Sequence, residues 1–559
     1  MMIGTTDLTG IDKEIDSVLR SFIAVNSETG TAGEKNCEAF LTEYLASIPY
    51  FQKNKEHFGS YAVSEDPLQR AVCWGLVRGR GASTVVLIHH YDVVGIEDFK
   101  NLKEFAFQPD SLEKALKNIS EELHPEARED LLSGDYLFGR GSADMKAGGA
   151  IQLALLKRYS ECKELEGNVL LLSLPDEENL SAGMRAAVDL LDELKEQHGL
   201  HYIYGFNSEP HQRKADGRGL LSEGSVGKIL AFVYVRGFLS HVGKVFEGLN
   251  PVPLLSEIVA DTELSPLFSD WVNGEAAPPP TWLNLQDRKE TYDVSMPLGA
   301  GGCISILTLD SDPMHALKLL HTSAENSFEK VIDRMNRSYK EFCRRTGRNA
   351  ETLPWKPLVM TYAELLDEAA MNCGEDFQKI YADERKAIEK RIKEGELDFI
   401  EGTYLMTELL LHSISDLSPR VILGFVPPYY PNVSNFLLKD LTSEQRLLAD
   451  RVSRFSLEKY GVEYEKESYY TGISDLSYLS LKDSRGIQSE LEKDTPLYGG
   501  AYSIPLEKIE ALSMPCVNIG PWGKDFHKLT ERVFKPDLYV QTPALLDYAI
   551  RLILQQEKS

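Results

Sequence analysis

Five short acidic and histidine-bearing segments have the residue types that two neighbouring metal ions require. They are His90-Tyr91-Asp92, Asp144 after Gly139-Arg140-Gly141, Asp176-Glu177-Glu178, Glu209-Pro210 and His527. Imidazole together with carboxylate suits zinc, and cobalt or manganese also accept such ligands. Asp144, Glu178 and Glu209 carry three negative charges against the four positive charges of two divalent ions, so a hydroxide would complete the balance. Because two such ions acidify a water molecule and stabilise an oxyanion, these segments predict a metal-dependent hydrolase.

Predicted strands would deliver four of these segments to one edge of a single sheet. Apolar runs typical of buried strands lie at 84–88, 169–174, 202–206 and 516–519. Helical patterns at 146–161 and 180–198 alternate with them, which predicts an α/β fold with a mainly parallel sheet and helices on both faces. Open α/β sheets bind ligands at the carboxyl ends of their strands. The run at 71–77 is separated from 84–88 by a short Arg-Gly segment, and we expect these two strands to pair.

Each segment taken alone also has an ordinary structural explanation. On an extended backbone, His90 and Asp92 point to the same side, so the carboxylate can orient the ring of a metal-binding histidine. The same H-x-D pattern is common by chance. Asp144 follows a glycine turn and can bridge two ions, but an aspartate there can also cap the following helix. His527 can be an ordinary loop histidine, so the metal hypothesis depends on the convergence of all five segments.

The adjacent carboxylates Glu177 and Glu178 follow the strand at 169–174 through Pro175. Neighbouring side chains on an irregular turn point in different directions. One of them can therefore bind a metal while the other stays free as a general base. The alternative is an acidic, solvated turn. Glu209 lies just past the strand at 202–206, again at a carboxyl end.

Composition narrows the class of protein and of partner. With 559 residues the chain exceeds a single hydrophobic core, so we expect at least two domains. A net charge of -26 disfavours binding to nucleic acid or to a membrane surface, because both are anionic. The seven cysteines include no C-x-x-C pair, the start lacks a signal-peptide pattern, and no apolar run approaches the about 20 residues that span a bilayer. We therefore expect a cytoplasmic protein.

The character of the chain changes after Gly224. A long strand at 228–235 and another at 303–309 are followed by a long helix and a Glu- and Lys-rich helical stretch at 375–414, which we interpret as a solvated insertion. A strand at 420–426 would end at Pro427-Pro428. The pattern then returns to α/β character. These changes predict a catalytic domain formed by 1–226 and 433–559 and interrupted by a second domain at 227–432.

The five segments, together with Ser240-His241-Val242-Gly243, resemble the aminoacylase/carboxypeptidase family of co-catalytic zinc metallopeptidases. They match in order and across nearly the whole chain. The length and the helical insertion are most similar to a long branch of that family linked to arginine utilisation. The resemblance implies a zinc-peptidase-like catalytic domain interrupted by a ferredoxin-like α+β lid, with two divalent metal ions. It also implies cleavage of an amide or peptide bond in a small-molecule or short-peptide substrate. It also implies a cis peptide between Asp144 and Met145.

The resemblance further assigns a role to each site residue. One metal ion would be held by His90, Asp144 and Glu209, and the other by Asp144, Glu178 and His527. Asp92 would orient His90, and Glu177 would carry a proton from the attacking water to the leaving nitrogen. His241 would help to bind the oxyanion, from the same chain in a monomer or across a homodimer.

Departures from the family pattern leave alternatives open. His89 replaces a glycine and could be an exchanged metal ligand, and Leu180 replaces a small residue. The asparagine and arginine that bind the substrate carboxylate have no match around 294–310. A non-catalytic binding or regulatory protein is therefore the rival hypothesis, although a protein without catalysis has little use for Glu177. Asp475 falls where relatives have an aspartate and is a candidate neighbour of the metal ligands.

Overall fold

The computed structural model describes residues 6–374 and 377–555, which form two compact units. The first unit comprises Met1–Ser225, Val433–Lys482 and Pro505–Ser559, and the second comprises Val226–Asn432 and Asp483–Ile504. No helix among the described residues is both long enough and apolar enough to cross a membrane.

Strands and helices alternate along most of the chain. The strands are β1 (Phe58–Ala62), β2 (Ala71–Val77), β3 (Arg80–His90), β4 (Tyr136–Phe138), β5 (Glu166–Leu174), β6 (His201–Asn207), β7 (Gly219–Ser222), β8 (Gly224–Ser225), β9 (Gly227–Arg236), β10 (Trp271–Val272), β11 (Glu275–Ala276), β12 (Thr281–Asp287), β13 (Gly299–Thr308), β14 (Val359–Thr361), β15 (Arg420–Tyr430), β16 (Val433–Ser434), β17 (Tyr464–Glu467), β18 (Cys516–Asn518), β19 (Gly523–Lys524) and β20 (Arg532–Phe534). The α-helices are α1 (Ile11–Ala24), α2 (Gly33–Ser47), α3 (Pro49–Lys53), α4 (Pro109–Asn118), α5 (Pro125–Ser133), α6 (Lys146–Glu161), α7 (Ala182–His198), α8 (Pro251–Thr262), α9 (Pro313–Thr346), α10 (Tyr362–Cys373), α11 (Phe377–Lys393), α12 (Phe399–His412), α13 (Ser443–Arg446), α14 (Leu448–Tyr460), α15 (Ser484–Asp494), α16 (Leu506–Ala511) and α17 (Thr542–Leu554).

The first unit is built on an eight-stranded mixed sheet in the order β1-β2-β5-β3-β6-β18-β7-β17. Four neighbouring strands, β5, β3, β6 and β18, run parallel, so their carboxyl ends lie at one edge of the sheet. Val85 and Leu87 of β3 pack into a core shared with α1, α6 and α17. Helix α7 packs against β1, β2 and β5. The predicted α/β fold, with helices covering a mainly parallel sheet, is confirmed.

The expected pairing of β2 with β3 is wrong, because β5 lies between them. It runs antiparallel to β2 and parallel to β3. Both strands are buried and need a hydrogen-bonding neighbour on each side, and β5 serves both. Gly79, in the connection, permits this arrangement because a Cβ there would lie 2.1 Å from the carbonyl oxygen of Gly167.

The second unit has a five-stranded sheet in the order β12-β13-β9-β15-β14. The sequence of elements β9, α8, β12, β13, α9 and β15 gives the predicted ferredoxin-like α+β fold. The stretch 375–414 was expected to be a solvated insertion, but its helix α12 is not solvated. Tyr404 and Met406 of α12 pack on Phe232 and Ile422 of the sheet. Only Phe377 and Ile388 of α11 are buried, and residues 375–376 lie outside the described residues.

The end of one strand and the extent of the second unit differ from the expectations. Strand β15 does not end at Pro427-Pro428 but continues to Tyr430. A register shift after Val426 accommodates the two prolines, which have no N–H. The segment Asp483–Ile504, expected in the catalytic domain, belongs to the second unit. Its helix α15 packs against α9, α10 and β15, and Asp494 at its end accepts a hydrogen bond from the Ala363 amide at 2.9 Å.

Candidate metal centre

The carboxyl ends of the parallel strands carry most of the predicted site residues. His90 is the last residue of β3, Glu177 and Glu178 follow β5, and Glu209 follows β6. His527 lies in the loop after β19, and Asp144 lies just before α6. The Asp144–Met145 peptide is cis, as the resemblance implied. Segments that are far apart in sequence therefore meet at one edge of the sheet.

The first group of potential ligands consists of His90, Asp144 and Glu209, whose ligand atoms lie within 4.8 Å of one another. His90 Nε2 is 3.3 Å from Asp144 Oδ1 and 3.5 Å from Glu209 Oε1. His90 Nδ1 is 2.9 Å from the main-chain carbonyl of Asp92. Because a carbonyl can only accept, Nδ1 donates to it, and Nε2 is the ring atom that faces the two carboxylates and would bind a metal ion.

The second group consists of Asp144, Glu178 and His527. His527 Nε2 lies 3.1 Å from Asp144 Oδ2 and 3.2 Å from Glu178 Oε1. Asp144 therefore directs Oδ1 to one histidine and Oδ2 to the other. One carboxylate shared between two ligand groups is the arrangement that a pair of bridged ions requires.

Glu177 lies beside the first group and is almost completely buried. Its Oε2 is 3.9 Å from His90 Nε2, and together with His90 and Glu178 it forms a third set of atoms close enough to hold an ion. Burial, and then the carboxylates of Glu209 and Asp475, raise the pKa of Glu177 well above its ordinary value, against the opposing effect of His90. A carboxyl group with a raised pKa can both accept and return a proton.

Asp92 fixes the turn that carries the two glutamates. Its carboxylate accepts hydrogen bonds from the amides of Glu177 (3.1 Å) and Glu178 (3.2 Å) and from the Thr29 hydroxyl (2.7 Å). Its Oδ1 is 3.6 Å from His90 Nδ1, so the ring is held mainly by the main-chain carbonyl of Asp92. Asp92 thereby links the histidine of β3 to the acidic turn after β5.

Glu531, which belongs to none of the sequence motifs, positions Asp144. Its Oε1 accepts hydrogen bonds from the amides of Ala143 (3.1 Å) and Asp144 (3.2 Å), and its Oε2 accepts one from Arg140 at 2.7 Å. Glu531 is fully buried, and burial raises its pKa to about 7. The only sequence signal is its position four residues after His527.

A second unforeseen group surrounds Arg70. Its Nη1 donates to Asp176 at 2.6 Å and to Glu34 at 3.0 Å, and its Nη2 donates to Asp66 at 2.7 Å. Glu34 Oε2 in turn accepts from the Asp176 amide at 3.0 Å. Asp176 precedes Glu177 and has a left-handed backbone with φ 66°. This network therefore holds the start of the acidic turn in a conformation that few residues adopt freely.

His89 is not available as a metal ligand. Its Nδ1 lies 3.0 Å from Gln152 Oε1 and its Nε2 lies 2.8 Å from the Ser173 hydroxyl, so both ring nitrogens are engaged. Burial lowers its pKa to about 4, which keeps the ring neutral. Gly149 accommodates this large side chain, because a Cβ there would lie 2.8 Å from the ring.

His241 belongs to the second unit. Its side chain is exposed, and its Nδ1 accepts a hydrogen bond from the Gly243 amide at 3.0 Å. The role of His241 in binding an oxyanion stays a prediction.

The charge of the centre fits divalent cations. Among the described residues, no lysine or arginine pairs with Asp144, Glu177, Glu178 or Glu209, and the imidazoles are their only basic neighbours. Burial would lower the pKa of His90, but Glu209 and Asp144 raise it well above its ordinary value. Hydrogen bonds with Asp144 and Glu178 raise the pKa of His527 to about 10. The donor set thus has an excess of negative charge and the ligand types of zinc, cobalt and manganese sites.

Asp475 adds a further buried carboxylate to this region. Both of its carboxylate oxygens lack a hydrogen-bond partner among the described residues. Burial raises its pKa to about 7, and its electrostatic effect reaches Glu177 and Glu209. A protonated Asp475 would avoid adding another negative charge to the cluster.

Comparison with known proteins identifies the family. Residues 86–547 match the sequence model of Peptidase family M20/M25/M40. The chain is 34% identical to the uncharacterized protein YqjN of Bacillus subtilis, covering 98% of this chain and 97% of that protein. It is 30% identical to Protein RocB of the same organism, covering 97% and 95%. The fold is similar to that of an M20 family metallo-carboxypeptidase from Sulfolobus solfataricus, with a TM-score of 0.52, 13% identity and coverage of 97% and 99%.

The matches extend over nearly the whole chain, and the order of the site segments and the two linked ligand groups point to the same family. The chain belongs to Peptidase family M20/M25/M40 and is a hydrolase of the metallopeptidase type.

Proposed function

We propose that the protein hydrolyses an amide or peptide bond of an amino-acid-like substrate with the help of two divalent metal ions, zinc first among them. The observation that carries this proposal is the position of Asp144, whose two carboxylate oxygens face two different histidines at 3.3 and 3.1 Å. His90 and Glu209 would complete one metal site, and Glu178 and His527 the other. The ions would polarise the scissile carbonyl and acidify the attacking water.

Glu177 is the residue proposed to move the proton. It is held in place because its amide donates to Asp92 and because the preceding residue is bound by Arg70. Its Oε2 lies 3.9 Å from His90 Nε2, beside the proposed metal site, which suits a group that accepts a proton from water and then gives it to the leaving nitrogen. Asp92 and Glu531 would act as positioning residues for His90, the acidic turn and Asp144. His241 remains the proposed donor to the oxyanion, in a monomer or across a homodimer.

The substrate class is proposed from the family and its relatives. A metallo-carboxypeptidase and a tripeptidase are among the proteins of similar fold, which favours short peptides and N-acyl amino acids. The resemblance to a branch linked to arginine utilisation makes arginine derivatives the first candidates. All seven cysteines are free, which supports the proposed cytoplasmic location.

The test is a hydrolysis assay with protein loaded separately with zinc, cobalt or manganese. N-acyl amino acids and dipeptides are offered, arginine derivatives first, and released amino groups are quantified. We expect release that stops when the metal is removed by a chelator and returns when it is added back. Absence of release with every metal and every substrate class would contradict the proposal.

A further inference from the structure

A cavity of about 220 Å³ lies within the second unit, at the carboxyl end of β9. Its polar lining comes from Tyr234, Arg236, Arg288, Glu408 and His412. Leu298 and Leu411 supply an apolar part of the wall. None of these residues belongs to the candidate metal centre, so the function of the cavity needs its own explanation.

Arg236 is a buried cation that forms no ion pair with a carboxylate among the described residues. The residue is 8% exposed, and its Nη1 donates to the main-chain carbonyls of Asp416 at 3.2 Å and Leu411 at 3.4 Å. Both of these hydrogen bonds come from Nη1, which leaves Nε and Nη2 available to a ligand in the cavity. The nearby carboxylates of Asp416 and Glu368 both pair with Arg420 at 2.7 Å, so they act on Arg236 only through space and not as its ion-pair partners. A guanidinium stays charged in proteins, and a buried charge of this kind is stabilised by a paired anion.

Another part of the cavity wall carries an excess negative charge. Arg288 pairs with both Glu401, at 2.6 Å, and Glu408, at 2.7 Å. The Tyr234 hydroxyl also donates to Glu408 Oε1 at 2.9 Å. Two carboxylates on one guanidinium leave one net negative charge. The cavity therefore presents a guanidinium without an ion pair of its own at Arg236 and an excess negative charge on the side of Glu408.

We propose that this cavity binds a small zwitterion of the α-amino-acid type. The carboxylate of the ligand would accept paired hydrogen bonds from Nε and Nη2 of Arg236, as carboxylates do with arginine. The ammonium group would lie beside Glu408, and an apolar side chain would contact Leu298 and Leu411. The volume is below the 300–1,000 Å³ typical of pockets for drug-sized ligands, which fits a molecule the size of a single amino acid. This binding does not depend on the proposed hydrolysis.

The test is isothermal titration calorimetry of the full-length, metal-loaded protein with L-leucine. Two matched probes remove one charge each: 4-methylpentanoate lacks the ammonium group, and 3-methylbutylamine lacks the carboxylate. We expect saturable binding of L-leucine and at least about tenfold weaker binding of both probes. Arg236→Gln should weaken L-leucine binding by about 30-fold or more, because it leaves the ligand carboxylate without its partner. The same substitution at Arg344, an exposed residue of α9, should leave binding unchanged.

A second variant separates a loss of binding from a loss of folding. Arg236 also contacts the last turn of α12, so Arg236→Gln can weaken the fold. Leu298→Trp keeps Arg236 and fills the cavity from a partly exposed position, and it should also abolish binding. L-leucine binding should persist after metal removal. The proposal is overturned if wild type does not bind L-leucine, if both variants bind it normally, if either single-charge probe binds as tightly, or if chelation abolishes binding.

Discussion

The first unit contains two clusters of buried carboxylates, and the negative charge of the two clusters is neutralised in different ways. Around Arg70, the carboxylates of Glu34, Asp66 and Asp176 converge on one guanidinium. At the candidate metal centre, Asp144, Glu177, Glu178 and Glu209 converge with two imidazoles, and no lysine or arginine pairs with them among the described residues. The chain supplies the cation in the first cluster and leaves the second short of positive charge.

The difference separates a supporting cluster from a metal-binding one. Burial, and then the charge of Asp92, raise the pKa of Glu34 to about 8, so Glu34 is mostly protonated near neutral pH. Arg70 then faces two charged carboxylates and forms hydrogen bonds with all three. The metal centre contains no arginine or lysine that could balance its carboxylates in the same way among the described residues. Its imidazoles can either be protonated or bind metal. Asp176 connects the two clusters, since it pairs with Arg70 and directly precedes Glu177.

The largest effect is expected at Glu177. Glu177→Gln keeps the shape of the side chain but removes the proton acceptor, so kcat should fall by about 10²–10⁴-fold. Metal content should stay close to that of wild type, because the proposed ligands are intact. The exposed substitution Glu129→Gln serves as the control. Wild-type turnover in Glu177→Gln would remove Glu177 as the base, and loss of metal would make it a ligand instead.

Arg70→Gln should lower the free energy of unfolding by about 3–5 kcal/mol, because it leaves buried carboxylates without their cation. This loss should be similar with and without metal, since the Arg70 cluster is complete by itself. Denaturant unfolding in the presence and absence of a chelator measures both values. Arg128→Gln, which breaks an exposed pair with Glu121, should cost less than about 1 kcal/mol. A cost for Arg70→Gln no larger than that of this control would contradict the supporting role.

Glu223 lies between the two kinds of cluster in its charge balance, because it has a single cationic neighbour, Lys466, at 3.7 Å from Oε2. Its Oε1 has no hydrogen-bond partner among the described residues. Burial raises its pKa from 4.5 to about 7. A carboxyl group with a raised folded-state pKa holds its proton more tightly in the native state, so stability falls as pH rises from about 4.5 to about 7. The slope is at most about 1.4 kcal/mol per pH unit. Glu223→Gln should flatten this slope and Glu463→Gln should not. Equal slopes in wild type and Glu223→Gln would exclude the effect.

A smaller effect is expected at Glu209, where a substitution should change the unfolding free energy in opposite directions in metal-free and metal-loaded protein. In metal-free protein, Glu209→Gln removes one of several repelling carboxylates and should raise the unfolding free energy by about 1 kcal/mol. In metal-loaded protein the same change removes a proposed ligand and should lower it. Thermal unfolding with and without a chelator measures the sign. Destabilisation in both states would mean that the second cluster, like the first, is complete without a metal.

The sequence predicts the strands and the candidate ligands, but not the contacts that arise only in three dimensions. His90 and Glu209 could be singled out because each follows an apolar run that reads as a buried strand. Glu531 and Arg70 act on residues that are distant in sequence or lie outside any motif, so no local pattern marks them. The assignment of Asp483–Ile504 to the second unit likewise depends on packing, since its helical pattern does not reveal which sheet it covers.

The most direct test of the account is the metal content of protein purified without chelator, measured by elemental mass spectrometry and compared with Asp144→Asn. Because Asp144 lies in both ligand groups, we expect about two divalent ions per chain in wild type and fewer than one in the variant. Wild-type protein that contains no metal and takes up none from zinc, cobalt or manganese would contradict the two-metal centre.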